Sequence, residues 1–419
     1  MSNRAFESEL MRRLDEVEGQ GLSRALRRVG TPQGTTIEID GRNCLNFSSN
    51  DYLGLASEPS LKEAAVRAIE RFGAGSGASR LISGSLAPHF ELEETLASFK
   101  GTEAALTFSS GYLAALGAIC ALAGKQDMVI LDKLVHASIV DATRLSGAKL
   151  RVFAHNDLND LEGILNWAAD KLQTPNSKSQ GPRVLIVTES VFSMDGDQAP
   201  LRELVELKDR YGAWLMVDEA HATGILGDNR RGLAEKLGVE DRVEIQMGTL
   251  GKAFGAAGGY IAGSRTLIDY LINRSRSFIF STAPAPAAAA AATAGVRFVQ
   301  SDAGRERVET LWKRVNQLAS GAQPASSAIL PLIIGDERRT VEVATTLREQ
   351  GIFIPAIRYP SVARGAARLR ITVNARHTRE HIDQLRNALE KLGLMRGVTQ
   401  HKPSGDSIES TSGLGAIKR

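Results

Sequence analysis

The sequence predicts an α/β fold, in which a mainly parallel sheet is covered by helices and followed by a smaller C-terminal α+β domain. Two observations carry this expectation. Four short apolar runs rich in strand formers recur along the chain: Val129-Ile130-Leu131, Leu150-Arg151-Val152-Phe153, Val184-Leu185-Ile186-Val187 and Trp214-Leu215-Met216-Val217. Helical stretches such as Leu201–Tyr211 lie between some of them, and strands that alternate with helices pair in parallel with both faces covered.

The elements follow in order. Phe6, Leu10, Leu14 and Val17 fall at helical spacing among charges, so residues 6–29 read as an amphipathic arm. Residues 36–47 alternate about Gly41 as a hairpin. These pieces make an N-terminal region over 1–60, and the sheet and its helices occupy 61–285. The Ala-rich run 283–292 contains Pro284 and Pro286 and reads as a loop entering a packed helix. The smaller domain is expected over 286–396, with a strand at 369–373 and a closing helix at 379–394. Residues 173–182 read as a polar surface loop. The stretch 397–419 is short of bulky apolar residues and is expected to be disordered.

Composition excludes several function classes. At 419 residues, with 43% hydrophobic and 24% charged, the chain can bury a large core. A formal net charge of +3, with arginines scattered and not interleaved with aromatics, gives no case for nucleic acid. No stretch approaches the roughly 18 apolar residues of a membrane helix, and the mixed charges of the first nine residues do not form a signal peptide. Cys44 and Cys120 make no disulfide framework and fit a reducing cytoplasm.

The chemistry concentrates around Lys252, in Gly248-Thr249-Leu250-Gly251-Lys252-Ala253-Phe254-Gly255, downstream of Val217-Asp218-Glu219-Ala220-His221. A lysine in a glycine-rich turn can approach a flat cofactor closely. An aspartate ending an apolar strand can keep a ring nitrogen protonated, and a histidine three residues on can reach the same ring. Together they ask for pyridoxal phosphate held on a lysine. A nucleotide-binding P-loop is ruled out, because Gln246 and Ala253 stand where glycine and a hydroxyl residue are required. Glu189, Asp218 and His221 all fall at or just past strand ends, where ligands of such sheets gather.

Further motifs admit two readings each. Ser109-Ser110-Gly111-Tyr112 opens a helix over 113–122 and is either a phosphate cup or an ordinary serine cap, with Thr249 available to add a hydroxyl. His136 is either structural or placed to stack on a flat ring. The segment from Gly73 to Arg80 follows a helix, not a strand, and reads as a loop near the site, not a dinucleotide fingerprint. His377 and His381 sit four apart, but with no third ligand they read as a solvated helix face and no metal is expected.

Six ordered segments carry a resemblance: Leu45-Asn46-Phe47-Ser48-Ser49-Asn50-Asp51-Tyr52-Leu53-Gly54-Leu55, Gly77-Ala78-Ser79-Arg80-Leu81-Ile82-Ser83-Gly84, His136-Ala137-Ser138, Glu189-Ser190-Val191-Phe192-Ser193-Met194-Asp195-Gly196-Asp197, Asp218-Glu219-Ala220-His221 and Thr249-Leu250-Gly251-Lys252. Over residues 26–394 the chain resembles the α-oxoamine synthases, pyridoxal 5'-phosphate enzymes of the aspartate-aminotransferase-like fold (fold type I). The resemblance implies Lys252 as Schiff-base lysine, Asp218 at the ring nitrogen, His136 stacked on the ring, and His221 and Ser193 at the ring hydroxyl. It implies Gly111, Tyr112 and Thr249 at the phosphate, with Thr282 reaching it from a second subunit of a homodimer. Arg27, Asn50 and Arg370 would bind substrate.

Ala356-Ile357-Arg358 and Ala367-Arg368-Leu369-Arg370-Ile371-Thr372 are similar to the branch that joins L-alanine to pimeloyl-CoA or pimeloyl-acyl carrier protein, at the start of biotin ring assembly. Tyr359-Pro360-Ser361-Val362 stands where that branch carries Pro-Pro-Thr-Val, and its Tyr-Pro is similar to the glycine C-acetyltransferase branch, the alternative.

Overall fold

The structure, a computed structural model, describes residues 3–172, 182–319 and 325–395. Most of the loop expected over 173–182, and the tail over 397–419, lie outside the described residues.

The first helix, Asn3–Gly19, is shorter than the arm expected over 6–29. Gly21 takes φ 68°, a left-handed value that ends the helix, and the chain runs on irregularly until Val29 bridges Ile39. Thr36–Ile39 (β1) and Arg42–Asn46 (β2) form the expected hairpin. Asp40 and Gly41 supply positive φ at its two turn positions, as a tight hairpin requires.

The central sheet has seven strands: Ala104–Phe108 (β3), Met128–Asp132 (β4), Lys149–Phe153 (β5), Val184–Glu189 (β6), Trp214–Asp218 (β7), Ile245–Thr249 (β8) and Gly259–Gly263 (β9). Their order is β3-β9-β8-β7-β6-β4-β5, and only β9 runs antiparallel to its neighbours. The four apolar runs read from sequence all fall on strands of this sheet. Successive residues serve opposite faces: Ile130, Ile186 and Leu215 join one buried cluster, whereas Val129, Leu131, Leu185, Val187 and Met216 join another. With apolar residues needed on both faces, the strands read as continuous hydrophobic runs.

Pro286 starts the helix Pro286–Gln300, where its missing N–H costs nothing. Beyond it and the helix Asp302–Ala319 come Ile329–Gly335 (β10), Ile352–Phe353 (β11), Ala356–Ile357 (β12) and Ala367–Thr372 (β13), before the helix Arg379–Lys391. Strands β10, β13 and β12 make an antiparallel sheet, while β11 pairs in parallel with β2 of the hairpin. His377 does not lie on a solvated helix face. Thr378 caps the helix, so His377 precedes it, buried and stacked on Phe47 at 4.2 Å between ring centroids. Among the described residues no helix is long and apolar enough to cross a membrane.

Leu215 is fully buried in the middle of β7. Leu215→Ala should therefore lower unfolding free energy by about 2–5 kcal/mol, read by urea denaturation, without changing the fold by circular dichroism.

Candidate active site

Lys252 lies in a turn just after β8. Gly255 takes φ 66° there, and a Cβ on it would fall 2.4 Å from the backbone carbonyl carbon of Leu55. Only glycine lets this turn press against the 50–56 segment. That segment is fixed by Asp51, whose carboxylate accepts the backbone N–H of Leu55 at 2.8 Å and of Ala56 at 3.2 Å. Tyr52 is thereby carried to His221: its hydroxyl lies 2.6 Å from Nδ1, and Nε2 of the same ring lies 2.8 Å from Nζ of Lys252. Burial, then the charges of Lys252 and Arg370, hold His221 well below the ordinary histidine value, so the ring is neutral.

Glu189 and Asp218 end adjacent parallel strands as register partners, at 2% and 6% exposure. Two buried carboxylates side by side repel. Burial and the charge of Asp218 push Glu189 up to about 8, and burial raises Asp218 against the pull of Lys252. Burial brings Lys252 down to about 8, although both carboxylates favour its charged form. Glu189 Oε2 accepts the Ser193 N–H at 3.1 Å, while its buried Oε1 has no hydrogen-bond partner. Ser193 also offers its carbonyl to Nε of Arg370, and Nη1 of Arg370 donates to Asn50 Oδ1 at 2.9 Å.

Gly259 pairs with both Phe108 and Thr249, so three strand ends meet beside the helix Gly111–Leu122. A Cβ at Gly259 would lie 2.5 Å from the backbone N and Cα of Gly111, and one at Gly111 would lie 3.7 Å from Thr249 Cβ. The helix start and the Thr249 hydroxyl therefore share one spot, an arrangement that suits an anion. Ser110 caps the same helix by accepting the Leu113 N–H at 3.2 Å.

Lys252, His221, Asp218, Ser193, Asn50 and Arg370 thus come together. His136 caps the helix Ala137–Ser146, with Nδ1 accepting the Ser138 N–H at 3.2 Å, and its ring is close enough to Asp218 and Lys252 to feel both charges. Three residues stand differently. The Tyr112 side chain turns to Asp141, 2.8 Å away, leaving its backbone at the helix start. Thr282 is exposed and bridges Ser79. Arg27 lies over the Phe353 ring, 5.9 Å from its centroid, in a cleft with Arg348 and Arg358. Glu189 and Asp218 meet, as their places at strand ends imply. The contact of Tyr52 with His221 has no local signal in the sequence, because the two are 169 residues apart.

The family model for aminotransferase class I and II matches residues 42–389. The chain belongs to that family. Within it, the resemblance to α-oxoamine synthases is borne out. A relative from an Anaeromyxobacter species named 8-amino-7-oxononanoate synthase is 49% identical, over 91% of this chain and 94% of its own. One of the same name from Geotalea daltonii is 47% identical, over 92% and 98%. Among solved structures, Sphingomonas wittichii serine palmitoyltransferase superposes with a TM-score of 0.84 at 31% identity, covering 95% of this chain and 100% of that one. A serine palmitoyltransferase with PLP internal aldimine gives 0.84 at 30%, covering 94% and 100%. The 8-amino-7-oxononanoate synthase from Francisella tularensis gives 0.68 at 28%, covering 83% and 96%.

For a family that uses pyridoxal phosphate, the donor set fits: a lysine amine of lowered basicity, a buried carboxylate at a strand end, and a glycine-lined helix start beside a threonine hydroxyl. The titration of Glu189 can be checked without cofactor. Its folded value stands above the 4.5 of a free side chain, so the stability it contributes is present at low pH and is lost as pH rises through about 8. Glu189→Gln removes that loss. In urea denaturation of cofactor-free protein, the variant should gain on wild type between about pH 5 and about pH 8.

Proposed function

We propose that this chain joins L-alanine to a pimeloyl thioester, releasing carbon dioxide and the thiol and giving 8-amino-7-oxononanoate. The observation that carries the reading is the site itself: Lys252, His221 and Tyr52 in one hydrogen-bonded line, with Asp218 at a strand end and Arg370 locked to Asn50. The relatives that share nearly half of its residues carry the name of that reaction.

Lys252 would hold pyridoxal phosphate, with Asp218 at its ring nitrogen, His136 against its face, and His221 and Ser193 at its hydroxyl. Gly111, Tyr112 and Thr249 would hold the phosphate. Bound there, the cofactor supplies an electron sink for the carbanion at the amino acid's α-carbon. The protein's own groups do the rest. Arg370, oriented by Asn50 and the Ser193 carbonyl, offers Nη donors to the amino acid's carboxylate. Lys252 Nζ, with its value near 8, is a base matched to removing the α-proton close to neutral pH. Neutral His221, 2.8 Å from Nζ, can share a proton with it, and Tyr52 on the far ring nitrogen sets which tautomer does so. His136 stands at the same site to move charge as the thioester is attacked.

The same proposal takes in Arg27 as a substrate contact and a homodimer in which exposed Thr282 reaches the partner's phosphate. It also includes a cytoplasmic setting, which unpaired Cys44 and Cys120 suit, and the division into a cofactor domain over 61–285 and a smaller one over 286–396. Tyr359-Pro360 favours a second reading, the glycine and acetyl-CoA reaction.

Pyridoxal-phosphate-loaded protein given L-alanine with pimeloyl-CoA, or with pimeloyl-acyl carrier protein, should release thiol and yield the product mass. Glycine with acetyl-CoA should stay silent; the reverse pattern would replace the first reading by the second. Lys252→Ala should lose turnover by about 10²–10⁴-fold or more while its circular dichroism matches wild type.

A further inference from the structure

Residues 192–197, the loop after β6, are held from two sides, one of which carries Arg370. On one side β13 grips it: Arg370 donates to the Ser193 carbonyl, and Arg368 donates to the Met194 carbonyl at 3.2 Å and to the Asp195 carboxylate at 2.5 Å. Ser326 Oγ donates to the Gly196 carbonyl at 3.1 Å, and Gly196 sits so close to β10 that a Cβ would fall 2.4 Å from the Ile329 carbonyl oxygen.

The other side of the loop is held by a residue outside the group around Lys252. His155 follows β5. Its Nδ1 lies 2.9 Å from Asp132 Oδ1, its Nε2 lies 2.7 Å from Asp197 Oδ2, and its ring packs edge-on to Phe192 at 4.3 Å between centroids. An ionised carboxylate only accepts hydrogen bonds, so a ring with a carboxylate on each nitrogen must donate from both. Burial opposes that charge, but the two aspartates overcome it and hold the ring up at about 10.

The two carboxylates are not equally dependent on His155. Asp132 also accepts the backbone N–H groups of Leu134 at 2.8 Å and Asn156 at 2.9 Å, so the sheet end stays tied without the histidine. Asp197 Oδ2 has one other donor, Asn156 Nδ2 at 3.0 Å, and its Oδ1 is buried without a partner. Losing His155 therefore loosens the loop on this side, leaving the grip of β13 on the other, and spares the sheet.

We propose that His155 is a positioning residue for the amino-acid carboxylate site: as an imidazolium clamped between Asp132 and Asp197, it fixes the loop whose Ser193 carbonyl orients Arg370. The assignment rests on the reading that Arg370 binds the substrate carboxylate.

The clamp itself is tested without substrate. Nitrogen-15 spectra of histidine-labelled protein at neutral pH should show one ring protonated on both nitrogens, absent from His155→Gln. A neutral ring would overturn the proposal. The consequence is tested by steady-state kinetics with whichever amino acid the wild type turns over, so a wrong substrate assignment does not silence the experiment. His155→Gln should raise KM for the amino acid about tenfold, with a smaller fall in kcat and little change in KM for the thioester. Asp197→Asn, which keeps the side-chain shape, should move the same constant in the same direction by less, and it decides the matter alone if His155→Gln does not fold. A lowered melting temperature with an unchanged amino-acid KM would make His155 a merely structural residue and overturn the assignment.

Discussion

Everything at this site depends on placing opposite charges where water cannot stabilise them. Glu189 and Asp218 are forced together by the register of β6 against β7, and neither lies in solvent. Their repulsion is relieved by protonation and by the cation of Lys252, while Lys252 resists its own charge for the same reason. Glu189 and Lys252, each brought to about 8, are thus held near the point where they can exchange a proton. A surface pair of the same residues would be tied to its ordinary values and to bulk screening. The frame that imposes this is a sheet whose inner strands β4, β6 and β7 are buried on both faces and carry their ionisable side chains at their ends.

The second constraint is close approach of backbone to backbone. Gly259 against Gly111 and Gly255 against Leu55 are contacts in which a single extra carbon would overlap main-chain atoms, which cannot swing aside. The antiparallel strand β9 has a specific part in this. By entering between β3 and β8 it places Gly259 opposite both Phe108 and Thr249, which brings the helix start at Gly111 up to the threonine. In an all-parallel arrangement a strand's carboxyl end, not its first residue, would occupy that edge.

Much of this was legible in the sequence, for identifiable reasons. Strands buried on both faces announce themselves as unbroken apolar runs, which marks β4, β6 and β7, while the edge strand β5, mostly exposed and interrupted by Arg151, is marked by its strand formers alone; the helix Leu201–Tyr211 matches its expected span. Lys252, Asp218 and His221 were found because each lies within a few residues of a strand end. What local pattern could not show were pairings between distant segments. Tyr52 meets His221, β11 joins the hairpin through β2, and His155 reaches Asp197 across two strand ends. The arm was overextended because apolar spacing continues past Gly21, whose backbone conformation ends the helix. His377 was misplaced because a four-residue interval says nothing about where a capping threonine starts the helix.

The separation of Asn50 from Arg370, 320 positions along the chain, has a consequence for how the protein is made. A growing chain can complete its central sheet, with Lys252 and Asp218 in place, while the strand carrying Arg370 is still untranslated. The β2–β11 pairing must also wait for the last quarter of the sequence, so the 50–56 segment gains its final support late. On the roles proposed for these residues, the geometry that would hold the cofactor and the geometry that would hold the amino acid mature at different moments of synthesis. A nascent chain would then have the means to hold the cofactor before it has the means to hold an amino acid.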